Sequence, residues 1–169
     1  MALRNVIALP DEMLSKKSRD VVDFDDKLWV LLDDMLETLR SENGVGIAAV
    51  QVGILRRAVV IDIDDELIEM VNPEIIQKRG TQIELEGCLS FPGKWGYVER
   101  PAYVKIKSQN RYGKPQIHEG EELLAVAFCH ELDHLDGVMF SDVASELLDR
   151  EPTEDEREKR AKKIRRKRR

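Results

Sequence analysis

The stretch EELLAVAFCHELDHLDG, Glu121–Gly137, opens with acids, runs through almost wholly apolar residues to Cys129, and then spells HELDH before Asp136-Gly137. Acids suit a helix start and glycine takes the left-handed turn that ends one, so the segment predicts a buried central helix. Side chains four apart share a helix face, so His130 and His134 point the same way, with Glu131 beside the first. Two such imidazoles can grip one ion. The alternative is a histidine pair held by hydrogen bonds alone. Two unpartnered imidazoles after so apolar a run are costly to bury, and a cation removes that cost.

Outward from this helix, the chain alternates short apolar runs with turn signals. Between Asp25 and Arg40, Leu28, Leu31, Leu32, Met35, Leu36 and Leu39 recur at helical spacing, with Asn43-Gly44 after them, which predicts an amphipathic helix. RRAVVIDID (56–64), LIEMVN (67–72), TQIELEG (81–87) and YVKIKSQ (103–109) read as strands, and NRYGK (110–114) turns the last into a hairpin returning toward His118. Beyond Asp142, Pro152 divides a short helix from a charged helical tail. Strands without regular strand–helix alternation predict an α+β fold, with mostly antiparallel sheets packed around the HELDH helix and a C-terminal helical tail.

At 169 residues, 42% hydrophobic and 36% charged, the chain suits one globular domain, assigned to residues 1–150 and followed by a tail at 151–169. A monomer is expected. Nothing approaches the roughly 20 consecutive apolar residues of a membrane span, and the start has no secretory or transit pattern, so the expected location is the cytoplasm. With only Cys88 and Cys129, free or metal-bound thiols are expected in place of a disulfide. The net charge of −6 conceals an asymmetry: residues 157–169 hold ten Lys/Arg against one Glu, while residues 1–150 hold 28 acids against 17 bases. Such a tail suits either a polyanionic partner or a solvated helix end.

No histidine follows His134, so the third ligand of an HExxH metallopeptidase is missing. The remaining soft donor is Cys88 in EGCLS (86–90), where Gly87 leaves the backbone open to substrate beside the sulfur and Leu89 offers an amide N–H. Cys88, His130 and His134 plus water make an open tetrahedral site of the catalytic kind. Alone, Cys88 reads first as a packing cysteine, and it is HELDH that makes it a ligand; the packing reading is kept for Cys129. GVGIAAVQ (44–51) lacks the third glycine and preceding strand of a dinucleotide-binding turn. Its glycines instead admit a substrate backbone, and Gln51 is a neutral donor for developing negative charge.

Taken together, GVGIAAVQ, EGCLS and HELDH, with PDEML (10–14) and the HELDHLDG continuation, resemble the peptide deformylase family across most of residues 4–148. Ile47 stands where that family usually has leucine, and Ser15 where it often has arginine. The resemblance implies hydrolytic removal of the formyl group from the N-terminal methionine of new polypeptides, with release of formate. It implies one divalent metal on Cys88, His130 and His134, usually Fe(2+), with Zn(2+), Ni(2+) or Co(2+) able to replace it. Ligand softness alone favours zinc. Glu131 is then the proton carrier, while Gln51 and the Leu89 amide stabilise the oxyanion.

Helical spacing places Leu123 and Val126 before His130 on its own face, as walls of a methionine pocket, with Val45 and Gly46 along the substrate backbone. Glu86 and Arg100 are expected to pair and orient the Cys88 loop, with Asp133 joining them, the alternative being three surface charges. Two rival functions remain: an HExxH metallopeptidase, and a nucleic-acid-binding module with structural zinc and the basic tail. A structural zinc site has four protein ligands, and three are found. The basic tail fits an enzyme tethered to ribosomal RNA near its nascent substrates.

Overall fold

The computed structural model describes residues 1–168. Arg169, the last residue of the basic tail, lies outside the described residues. The elements in chain order are a 3-10 turn (Glu12–Ser15), α1 (Asp26–Ser41), β1 (Gly46–Ala48), a second 3-10 turn (Ala49–Val52), β2 (Ala58–Ile63), β3 (Glu66–Arg79), β4 (Gln82–Cys88), β5 (Phe91–Arg100), β6 (Tyr103–Gln109), β7 (Pro115–Glu121), α2 (Glu122–Leu135), α3 (Phe140–Val143), β8 (Glu146–Leu148) and α4 (Glu154–Lys167). Strands β1-β2-β3-β6-β7 form one antiparallel sheet and β4-β5-β8 another. This is the α+β architecture expected from the sequence.

The five-stranded sheet is covered on both faces. On one, Leu28, Leu31, Leu32, Met35 and Leu39 of α1 pack with Ala58, Val60 and Val71. On the other, Ala125, Phe128, Cys129, Leu132 and Leu135 of α2 pack with Val59, Ile61, Met70, Val104 and Ile106. Strand β2 therefore buries successive residues on opposite faces, which is why AVVI is continuously apolar. Asp25 caps α1 by accepting from the Leu28 N–H.

One expected boundary is wrong. LIEMVN was to end at Asn72-Pro73, yet β3 continues to Arg79. Proline has no N–H for a regular ladder, and the strand accommodates Pro73 with a bulge between Val71 and Glu74. Asn72 takes a left-handed φ of 51° there, its side chain bonding both backbone groups of Val21 at 2.8 and 2.9 Å. Strands β5 and β8 were not anticipated. Their pairing is non-local, joining Trp95–Tyr97 to Glu146–Leu148.

Helix α2 ends as its sequence suggests. Gly137 (φ 74°) donates to the His134 carbonyl at 3.2 Å and Val138 to that of Asp133 at 2.9 Å, the paired bonds of a Schellman cap. The Leu135 carbonyl accepts from the Ser18 N–H and the Arg57 guanidinium at 2.8 and 3.0 Å. A Cβ on Gly137 would lie 2.4 Å from the Ser15 carbonyl oxygen, whereas one on Gly53, also left-handed at φ 82°, would meet nothing within 4 Å. Gly53→Ala is accordingly expected to cost about 1–2 kcal/mol of backbone strain, and Gly137→Ala clearly more, because a backbone atom must move. Urea denaturation of both variants checks the order, and equal midpoints would contradict it.

Candidate metal centre

Helix α2 and strand β4 each bring part of the site. His130 and His134 sit one turn apart with ring centroids 5.0 Å apart. Cys88 ends β4, where the register with β5 shifts after Gly87. The ligand atoms of Cys88, His130 and His134 all lie within 4.8 Å of one another, and the Cys88 sulfur is 3.3 Å from His134 Nε2. His130 turns Nδ1 toward Glu86 Oε1 at 2.8 Å, which leaves its Nε2 for the shared centre. One thiolate and two imidazoles at this spacing are a donor set for a borderline-soft divalent cation. Burial lowers the His134 pKa well below its ordinary value, reinforced by His130, which favours a neutral ring there, whereas Cys88 and Glu86 outweigh burial and raise that of His130, so a cation at this centre displaces a proton from it.

Glu131 is 3% exposed, and its Oε2 has no hydrogen-bond partner among the described residues. Burial pushes its carboxyl up to about 7, a range in which it both takes and returns a proton near neutrality. A Cβ on Gly46 would come within 2.7 Å of Glu131 Oε1, so only glycine lets β1 pass this close to the carboxylate.

A cavity of about 490 Å³ opens beside these groups, between the free edges of β1 and β4. Val45, Gly46, Gln51, Gly87, Cys88, Leu89, Leu123, Val126, His130 and Glu131 line it. Val126 is buried and Leu123 is 54% exposed, so the first lies deep and the second at the mouth. Gln51 is 1% exposed; its Oε1 accepts from the Ala48 N–H at 2.9 Å and its Nε2 lies 3.6 Å from the Cys88 sulfur. Sequence reasoning missed the opposite wall, Phe91, Pro92, Lys94 and Trp95 of β5. Its only signal was Gly87: a Cβ there would lie 2.7 Å from the Trp95 ring, its cross-strand partner.

Behind the ligands, Arg100 joins β5 to β4 and α2. Its guanidinium bonds Glu86 at 2.8 and 2.9 Å and Asp133 at 2.6 Å, and Glu86 in turn holds His130. Burial opposes all of these charges. For Arg100 the two carboxylates outweigh it and raise the pKa further; for Glu86, Arg100 and His130 outweigh it and lower the pKa.

The family described as polypeptide deformylase matches residues 3–150. A peptide deformylase of Acetivibrio thermocellus is 51% identical over 166 residues, covering 98% of this chain and 98% of its own. Another, from Caldicellulosiruptor bescii, is 52% identical over 157 residues, covering 93% and 95%. Among solved structures, the Legionella pneumophila peptide deformylase superposes with a TM-score of 0.83 at 44% identity, covering 85% of this chain and 87% of the other. That of Thermotoga maritima gives 0.84 at 37%, covering 86% and 100%.

Arg100→Leu strips Glu86 of the cation that holds it against His130. Metal affinity is expected to fall about 10–100-fold, measured by chelator competition on protein whose circular dichroism is unchanged. Unaltered affinity would show that the Arg100 network does not support the centre.

Proposed function

This chain belongs to the polypeptide deformylase family, and from that footing we propose how its own residues remove the formyl group from a new polypeptide's N-terminal methionine. The reading rests on one observation: a cysteine sulfur and two imidazole nitrogens converge within 4.8 Å, and buried Glu131, whose Oε2 has no hydrogen-bond partner among the described residues, lines the same cavity. Cys88, His130 and His134 would hold a divalent cation, which would supply Lewis acidity and lower the pKa of a water molecule. We assign it as Fe(2+), following the family resemblance, with Zn(2+), Ni(2+) or Co(2+) as substitutes that the same donors accept.

Glu131 takes the proton of the attacking water and passes it to the departing amine, leaving formate and a free N-terminus. Negative charge gathering on the formyl oxygen is met by the Gln51 carboxamide and the Leu89 N–H, each donor worth about 3–4 kcal/mol by the standard of other acyl-transfer sites. The methionine side chain enters between Leu123 and Val126, while Val45, Gly46 and Gly87 let its backbone lie close. Glu86, Arg100 and Asp133 keep the ligands aimed. The thiolate beside iron makes the centre sensitive to oxygen. No metallopeptidase is needed to explain the site, since the donor set is complete without a third His or Glu.

In this reading residues 1–150 do the chemistry and the tail at 151–169 anchors the enzyme. Helix α4 is docked through Arg160, whose guanidinium lies 3.9 Å above the Tyr97 ring and pairs with Glu146. Its last turns carry Lys162, Lys163, Arg165, Arg166, Lys167 and Arg168, a charge suited to ribosomal RNA in the cytoplasm, where formylated chains emerge.

Protein purified without oxygen is expected to carry one metal ion per chain, predominantly iron, and to release formate far faster from formyl-methionyl than from formyl-aspartyl peptides. Glu131→Gln should keep the metal and lose about 10²–10⁴-fold in rate. A near-normal rate in that variant would refute the assigned role. Separately, changing Lys162, Lys163, Arg166 and Lys167 to Gln should abolish salt-dependent co-sedimentation with ribosomes while leaving peptide turnover intact. Unchanged sedimentation would remove the tether.

A further inference from the structure

We propose that Ser90 is a positioning residue for deformylation, setting the angle at which Gln51 offers an N–H to the reacting oxygen; this rests on the oxyanion role given to Gln51 above. Ser90 is fully buried, and its Oγ accepts from Gln51 Nε2 at 3.2 Å. The bonds of the carboxamide can be accounted for one by one. Its Oε1 is taken by the Ala48 N–H, which bars the amide from turning over, because a turned amide would set N–H against N–H. One hydrogen on Nε2 is taken by Ser90. Among the described residues the other has only the long 3.6 Å contact to the Cys88 sulfur, and it is the one left for substrate. Without the hydroxyl, a buried N–H loses its acceptor and the amide tilts to find another.

Ser90 is itself held from two sides. Its N–H approaches the Cys88 sulfur at 3.4 Å, and its carbonyl accepts from the Leu9 N–H at 2.9 Å. Two residues earlier, the Ile7 N–H bonds the Gln51 carbonyl at 2.8 Å. The N-terminal segment therefore bridges the two loops, with one backbone bond to each. The hydroxyl completes that clamp at its inner end.

The test is a double-mutant cycle on metal-loaded full-length protein. Ser90→Ala should lower kcat about tenfold, a part of the loss expected when a donor is removed outright, with KM and metal content unchanged. In a Gln51→Ala background the same change should alter kcat by less than about twofold, since its route of action is already gone. Ser90→Thr, which keeps the hydroxyl, should recover most of the loss. In the zinc-loaded protein, the Gln51 side-chain amide signals, identified by their absence from Gln51→Ala, should shift on Ser90→Ala. An equal loss of kcat in both backgrounds, or unmoved amide signals, overturns the proposal. If Gln51→Ala itself leaves kcat intact, the oxyanion role fails first and this inference with it; loss of metal in Ser90→Ala would instead assign Ser90 to holding Cys88.

Discussion

A single buried guanidinium ties this molecule together. Arg100 sits at the end of β5 and bonds Glu86 on β4 and Asp133 on α2, while Glu86 reaches on to His130. Removing one partner from such a cluster strands a charge away from water, at a cost of about 3–5 kcal/mol. Replacing the whole cluster with apolar groups can be nearly neutral, so stability alone does not explain it. Its effect is geometric: helix and strand can approach in only one register, and in that register the thiolate and both imidazoles face one another.

The two-sided sheet supplies the stiffness on which that register depends. Helix α2 is buried along one face by Phe128, Leu132 and Leu135 and presents its ligands on another. A helix free to roll by a few tens of degrees would lose the centre. The Schellman cap and the bonds from Ser18 and Arg57 to Leu135 prevent this at the ligand end of the helix.

Much of this was legible in the chain because the signals were local. The spacing of His130 and His134, the leucine period of α1 and the alternation of YVKIKSQ each depend on neighbours within a turn or a strand. Cys88 emerges by elimination, as the soft donor left once no histidine follows His134 in the chain. What escaped depends on distant pairing. FPGKWGYVER contains two glycines and a proline, poor strand residues, and becomes β5 because β4 and β8 lie on either side of it. Asn72-Pro73 reads as a stop, and bonds from Asn72 to the distant Val21, Arg57 and Gln109 hold it as a bulge within a longer strand. Ser90 lies inside EGCLS, but nothing local points to its role, because its partner, Gln51, lies 39 residues away in the chain.

The way α2 is fastened also bears on when the protein becomes competent during its own synthesis. Ribosomes deliver the chain from its first residue, so the N-terminal segment, α1 and most of the five-stranded sheet emerge well before residue 134. Cys88 waits 46 residues for its imidazole partner, and the Ser18 amide waits longer still for the Leu135 carbonyl. Contacts between such distant segments form slowly and late. A chain halted before α2 holds the Cys88 sulfur without the two helix imidazoles that would share an ion with it, so acquiring the cation marks a polypeptide extended through Leu135.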